Sequence, residues 1–277
     1  MTDEDRPNSV SAVPRRSRLR LWFSRAAIAA IYAYVTAVLV SRLNVSIELL
    51  AHFVVHALVG TSILFLLLLR IGSTKEKIAC AIPLLYLLFL TEPWAVWLPI
   101  PLQPKLSADR SETVRVLSWN ILYTNRNDDE MRSVVESRET DILILIEVSP
   151  SLLEGRQWLR TDKPFGTEKP AWRGAGIAVF TRREDITLET KFFYDENLPS
   201  IVIDIPASDG SRHMKLVAMH TASPMPPSRA IPRDLQLAAF RQWAQEQDCP
   251  VCLIGDLNTT PWTQGYKELE AAGFFDS

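Results

Sequence analysis

The stretch Gly255-Asp256-Leu257-Asn258-Thr259-Thr260-Pro261-Trp262 directly follows a short apolar run, residues 251–254. The run predicts a buried strand, and the polar string puts a carboxylate and an amide at its carboxyl end. Taken alone, the string could be an ordinary turn, because Gly, Asp and Asn favour turns. It becomes informative because other strands in this half of the chain end in the same way.

Asn120, Glu147 and His220 also follow or end apolar, strand-like runs. Because strand ends gather at one edge of a sheet, these three side chains are expected to meet Asp256 and Asn258. Carboxylate and amide oxygens suit Mg²⁺ or Mn²⁺. Such a cation polarises a phosphoryl oxygen while a general base activates water. Each residue alone is more often a solvated strand end, a turn residue or a structural His, so the ordered set carries the prediction.

The pattern around these residues alternates between strands and helices. Predicted strands cover residues 114–122, 141–146, 176–181, 186–193, 201–205, 215–220 and 251–254, and predicted helices cover residues 128–139, 149–160, 231–247 and 262–272. This mixture favours an α/β (α+β) fold, with a mixed sheet or with two sheets packed together under helices.

Three apolar stretches precede this domain, at residues 26–41, 49–69 and 78–98. Since a span needs about 20 apolar residues, they predict three transmembrane helices, the first extending back through Leu21-Trp22-Phe23. Three such stretches in a row disfavour a signal peptide. His52 and His56 share one face of the second helix, where packing between helices is the simpler interpretation.

Basic residues predict the orientation of these helices. Residues 1–25 form a basic leader, and residues 70–77 add three more basic side chains, whereas the first loop has only Arg42. By the positive-inside rule, the N-terminus is cytoplasmic in a multi-pass cell membrane protein. Three crossings then put residues 112–277 outside the cytoplasm, after a Pro-rich linker at residues 99–111.

Charge differs between the two parts of the chain. Residues 1–104 contain 10 Lys and Arg against 6 Asp and Glu, and the remainder contains 20 against 26. An acidic domain disfavours nucleic acid as a partner. The only candidates for a basic groove are Arg173, Arg182, Arg183, Arg229 and Arg233.

The three cysteines do not form a disulfide framework. Cys249 and Cys252 make a C-x-x-C pair, but residues three apart on a strand face opposite sides. A structural interpretation is therefore preferred to a redox site.

Four motifs carry a family resemblance: Ser118-Trp119-Asn120, Ile146-Glu147, residues 219–224 and residues 255–262. In this order they resemble the motifs of the endonuclease/exonuclease/phosphatase family, the DNase I-like enzymes, over about residues 112–277. The resemblance implies a four-layer α/β/β/α sandwich. It implies that Asn120 and Glu147 bind the metal, His220 contacts the phosphate, Asp256 orients or deprotonates water, and Asn258 helps to place the phosphate. The apolar first part resembles membrane-anchored bacterial members.

One difference from the family concerns the C-terminus. The family ends with a further strand pair and an Asp-His motif, whereas this sequence ends at Ser277, so the domain is expected to be incomplete. The leading hypothesis is a membrane-anchored, metal-dependent phosphoesterase that hydrolyses a phosphoester, possibly lipid-linked, outside the cytoplasm. The alternatives are a truncated, non-catalytic homologue that only binds a ligand, and an extracytoplasmic nuclease.

Overall fold

The chain forms two compact units, residues 1–100 and 101–277, in a computed structural model. The structure describes residues 15–41, 44–92, 113–207 and 213–275. The first 14 residues of the predicted leader and the predicted linker, residues 99–111, lie outside these ranges.

The described part of the first unit is helical. Its α-helices are α1 (Arg15–Val40), α2 (Val45–Glu48), α3 (Val54–Ile71) and α4 (Thr74–Thr91), and a 3₁₀ segment, Leu49–Phe53, joins α2 to α3. A capping box begins α4, in which the Ser73 hydroxyl accepts from the Glu76 N–H and the Glu76 carboxylate accepts from the Ser73 N–H. Side chains of α1, α3 and α4 pack together around Ile28, Leu68 and Cys80.

Two helical stretches in the described residues are long and apolar enough to cross a membrane, Leu19–Val40 and Ser46–Ile71. The predicted third span, residues 78–98, is not among them, so two of the three expected spans are found in the described residues. Its helix, α4, begins with Lys75, Glu76 and Lys77 and ends at Thr91. Only residues 78–91 of α4 are free of charge, roughly 20 Å of helix, against an apolar bilayer core of about 30 Å. Residues 93–98 lie outside the described part.

The second unit contains two four-stranded sheets, which confirms the prediction of an α/β fold. The strands are β1 (Val116–Asn120), β2 (Ile142–Ile146), β3 (Phe165–Lys169), β4 (Ile177–Thr181), β5 (Thr187–Lys191), β6 (Ser200–Pro206), β7 (His213–His220) and β8 (Val251–Asp256). The first sheet has the order β1-β2-β4-β3 and the second β5-β6-β7-β8. The β1–β2 and β7–β8 pairs are parallel, and the other pairs are antiparallel.

The helices of this unit are α5 (Asp128–Glu136), α6 (Pro150–Glu154), α7 (Trp158–Asp162), α8 (Ala230–Gln245) and α9 (Gln264–Ala271). The single helix predicted at residues 149–160 is therefore two short ones. Ser149 caps α6, and Gly155 ends it. The sequence analysis also missed β3, because its polar sequence lacks an apolar run. It forms an edge strand, pairs only with β4 and is largely exposed.

Three apolar clusters hold the second unit together. One combines inward-facing residues of both sheets, including Ile144, Val179, Ile203 and Leu216. Another joins the opposite face of the first sheet to α5, α6 and α7, and a third joins the opposite face of the second sheet to α8 and α9. All five residues of β2 are buried, because both faces of this strand are covered, and the continuous run Ile142–Ile146 reflects that position.

The parallel pairs determine where the polar strand ends lie. In the first sheet Asn120 is opposite Ile146, so Glu147 follows directly at the same edge. In the second sheet His220 is opposite Asp256. In each sheet, two of the sequence-predicted residues therefore lie side by side at the carboxyl ends of two adjacent parallel strands.

Candidate active site

Glu147, His220 and Asp256 come together where strand ends of the two sheets meet. One carboxylate oxygen of each acid and one ring nitrogen of His220 all lie within 4.8 Å of one another, and the three residues are half-buried. The sequence analysis had chosen all three from strand ends, and tertiary packing brings the two pairs of strand ends together.

Asn120 connects the two carboxylates. Its Nδ2 donates hydrogen bonds to Glu147 Oε1 at 2.9 Å and to Asp256 Oδ2 at 3.0 Å. Its Oδ1 accepts a hydrogen bond from the Leu122 N–H at 3.1 Å. One amide thus fixes two acids that come from different sheets, and the loop after β1 fixes the amide.

Glu147 sits in an unusual backbone conformation. Its φ is +65°, and that of Leu122 is +58°, in a region that costs a non-glycine residue about 1–3 kcal/mol. The Tyr123 N–H donates to Glu147 Oε2 at 3.2 Å. A Cβ on Gly174, whose φ is +86°, would lie 3.3 Å from the same oxygen. The surrounding loops therefore hold this carboxylate in place, and no sequence motif signalled the parts of Tyr123 and Gly174.

Asn258 belongs to the loop that follows β8. Its N–H donates to Asp256 Oδ1 at 3.1 Å, and its Nδ2 donates to the Thr221 carbonyl at 2.9 Å. Its own carbonyl accepts from Nη1 of the fully buried Arg233 at 3.1 Å. Asn258 therefore orients Asp256 and ties together the ends of β7 and β8.

His220 lies in a poorly solvated position. Burial lowers its pKa below the ordinary value, against the opposing effect of the Asp256 and Glu147 carboxylates and of the Gly174 backbone. Its Nδ1 is buried and has no hydrogen-bond partner among the described residues. Burial therefore favours the neutral form of the imidazole, and one ring nitrogen has no hydrogen-bond partner among the described residues.

Glu147, His220 and Asn258 line an open cleft of about 200 Å³. Its other walls include Tyr123, Leu198, Ser223 and Arg229. Arg229 is exposed and brings a positive charge to a cleft that the Glu147 carboxylate also lines. A larger groove of about 480 Å³ lies elsewhere, beside β8 and α9, and its lining is mostly apolar, including Leu253, Phe274 and Phe275.

The basic groove that the nuclease alternative requires is mostly absent from the described side chains. Arg182 pairs with Asp162 and Arg183 with Asp185, while Arg233 is buried. The side chain of Arg173 lies outside the described part. Arg229 alone of the described candidates lines the cleft, because the others are engaged by acids or by the core.

Comparison with known proteins gives a family match. Residues 117–276, more than half of the chain, match the Endonuclease/Exonuclease/phosphatase family. A comparison with curated proteins gives no match.

Several solved structures are similar to part of the chain. A humanized D. rerio TDP2 with 14 mutations is 17% identical, with 59% of this chain and 72% of that chain covered and a TM-score of 0.47. The human Nocturnin catalytic domain with bound sulfate is 19% identical, with 57% and 70% covered and a TM-score of 0.44. An endonuclease/exonuclease/phosphatase from Bacteroides vulgatus is 14% identical, with 58% and 72% covered and a TM-score of 0.45.

Proposed function

Because this chain belongs to the endonuclease/exonuclease/phosphatase family, whose members are hydrolases acting on phosphoester bonds, we propose that its second unit is a divalent-metal-dependent phosphoesterase. The observation that carries the proposal is the convergence of Glu147, His220 and Asp256 within 4.8 Å, where Glu147 and His220 also line an open cleft.

The donor set fits a hard divalent cation. Glu147 and Asp256 both hydrogen-bond the same neutral amide, and no described Lys or Arg forms an ion pair with either. Two neighbouring carboxylates repel unless a cation lies near them. Oxygen ligands from carboxylates and an amide suit Mg²⁺, and also Mn²⁺.

In this proposal Glu147 and Asn120 hold the metal. Asn120 Oδ1 has two lone pairs, of which the Leu122 N–H occupies one, so one is left for a cation. When bound, the cation stabilises negative charge on the phosphoryl oxygens.

The remaining residues act on water and phosphate. Asp256, fixed by Asn120 and by the Asn258 N–H, orients a water molecule and accepts its proton. His220 donates a hydrogen bond from a ring N–H to a phosphate oxygen. The second hydrogen on Asn258 Nδ2 is available for the same purpose, and Arg229 attracts the anionic substrate into the cleft.

Chelation of the metal tests this function. We expect the full chain in detergent to hydrolyse bis(p-nitrophenyl) phosphate or p-nitrophenyl phosphate, to lose this activity in EDTA, and to regain it with Mg²⁺ or Mn²⁺. The relative rates on the two esters distinguish diester from monoester hydrolysis. Activity that persists in EDTA, or no hydrolysis of either ester at any metal concentration, would contradict the proposal.

We further propose that the second unit is a four-layer α/β/β/α sandwich. The three apolar clusters support this arrangement, since one lies between the sheets and the others join each sheet to its own helices. An experimental structure with helices on the inner sheet faces would contradict it.

The first unit is proposed to anchor the protein in a membrane. The stretches Leu19–Val40 and Ser46–Ile71 support this role by length and composition. Anchoring concentrates the enzyme at the bilayer surface, which favours a lipid-linked phosphoester over nucleic acid. Faster hydrolysis of a phospholipid in vesicles than of a soluble ester with the same headgroup would support that substrate class, and equal rates would contradict it.

The side of the membrane depends on the number of crossings. We propose that the phosphoesterase unit is extracytoplasmic, which requires a third crossing that begins in α4. The side chains of Ile78, Ile82, Leu85 and Phe89 support it, because they form an exposed apolar stripe, each more than half exposed. Since both helical stretches found by length and composition precede α4, the segment after Thr91 would have to complete the crossing.

A membrane-impermeant maleimide tests this topology, because Cys252 is exposed on the second unit. In sealed right-side-out vesicles we expect labelling of the full chain without lysis, and its loss in the Cys252→Ser variant. Labelling only after lysis would mean two crossings and a phosphoesterase on the same side as the leader.

A further inference from the structure

A second cluster of potential metal ligands lies in the second sheet, at the ends of β7 and β8 opposite to those that carry His220 and Asp256. His213 is the first residue of β7, and Asp248 and Cys249 lie just before β8, separated from it by Pro250. His220 and Asp256 end the same two strands, so the clusters are about 23 Å apart along the strands at 3.3 Å per residue. The new cluster is therefore separate from the candidate active site.

We propose that His213, Asp248 and Cys249 form a binding site for Zn²⁺. Their ligand atoms all lie within 4.8 Å of one another. His213 Nε2 and Asp248 Oδ1 are 3.7 Å apart. Ligands on a tetrahedral Zn²⁺ are about 3.4 Å apart for metal–ligand distances of about 2.1 Å, so small side-chain movements close the site.

Asp204 orients the imidazole for this purpose. His213 Nδ1 lies 3.2 Å from Asp204 Oδ1, and a proton on Nδ1 in this hydrogen bond leaves the lone pair on Nε2. A carboxylate behind a ligating His is a common arrangement at zinc sites, because it fixes the tautomer and raises the basicity of the ring. The ring nitrogen that faces Asp248 is thus the one prepared to bind a metal.

The charges of the cluster also suit a divalent cation. Asp204, Asp248 and a Cys249 thiolate together bring three negative charges, and Lys215, whose Nζ lies 2.6 Å from Asp204 Oδ2, brings one positive charge. The remaining charge of about −2 matches Zn²⁺, and binding releases the thiol proton. Thiolate and imidazole ligands favour Zn²⁺ over Mg²⁺, which prefers oxygen.

The position of the site indicates what the metal does. In its sheet, β8 is an edge strand that pairs only with β7. A metal held by His213 on β7 and by Asp248 and Cys249 before β8 links the two strands at the ends remote from the active site. The three protein ligands leave a fourth position for water or another ligand.

Cobalt substitution tests the proposal with a readout that does not depend on activity. With Co²⁺ added to the full chain in detergent, we expect a near-ultraviolet thiolate-to-cobalt charge-transfer band. Cys249→Ser should abolish the band, while the matched Cys252→Ser and the active-site Glu147→Gln should keep it. Asp204→Asn should weaken Co²⁺ and Zn²⁺ binding about 10- to 100-fold.

Thermal unfolding provides a second measurement. Zn²⁺ should raise the Tm of the wild type and of Cys252→Ser more than that of His213→Ala, which keeps only the cation site at the active site. Absence of the band in the folded wild type, or its survival in folded Cys249→Ser, would overturn the site. If Cys249→Ser does not fold, His213→Ala takes its place. The metal affinity of His213→Ala must fall if the site exists, and an unchanged affinity would overturn the site.

Discussion

Replacing Asp256 with Asn is expected to lower kcat about 10²- to 10⁴-fold, the usual range for loss of a general base. Asp256 meets Glu147 and His220 within 4.8 Å, and its two oxygens accept hydrogen bonds from Asn120 and from the Asn258 N–H. An Asn keeps the size of the side chain but loses the charge and the basicity. Steady-state hydrolysis of an aryl phosphate ester at saturating Mg²⁺ measures the effect.

In the absence of metal the Tm of the same variant should stay close to wild type, because the relief of repulsion between two carboxylates offsets the loss of one of the two hydrogen bonds that Asp256 accepts. Its Tm should rise less with Mg²⁺ than that of the wild type. Asp185→Asn is the matched control, since Asp185 pairs with Arg183 beyond the opposite end of β4 and its loss should leave kcat unchanged. A kcat within threefold of wild type for Asp256→Asn would exclude the proposed role.

Replacing Gly255 with Ala is expected to destabilise the protein by at least about 3 kcal/mol, from backbone strain and overpacking together. Gly255 has a φ of +142°, and an added Cβ would lie 2.0 Å from the Met219 carbonyl oxygen. Met219 is its partner on the adjacent parallel strand. The obstructing atom belongs to the backbone, so no rotamer change relieves the clash and the strands must separate.

The next residues along the two strands are His220 and Asp256, so this variant should also lose most of its activity even where it remains folded. Thermal unfolding of the full chain in detergent and ester hydrolysis measure the two effects. Gly155→Ala is the matched control, because an added Cβ meets no atom within 4 Å there and the backbone has an ordinary negative φ. A wild-type Tm for Gly255→Ala would show that β7 and β8 do not approach as closely as described.

Part of the fold and of the candidate site could be predicted from local sequence. The run Ile142–Ile146 predicted a strand covered on both faces, since period and composition report burial directly. The helix predicted from residue 128 begins there as α5, and the Asn127 side chain caps it by accepting from the Glu130 N–H. The strand-end motifs predicted the family, which the match over residues 117–276 confirms. They also selected the residues that converge.

Other features could not be predicted because they depend on long-range contacts. The packing of the two sheets brings strand ends from both together, so that Asn120 contacts Glu147 and Asp256. Asp256 is 136 positions away from Asn120 in the sequence. Composition also does not reveal that Arg182 and Arg183 pair with acids and that Arg233 is buried. The polar sequence of the edge strand β3 likewise gives no sign of a strand.

The sequence by itself thus determined the apolar strands, the family and the chemical types at the candidate site, because periodicity and motif order are local properties of the chain. Only the tertiary structure decided the hydrogen bonding of the acids, the left-handed backbone at Glu147 and the approach of Cys249 to His213. These features arise from the packing and pairing of segments distant in sequence, whose geometry no single stretch of residues encodes.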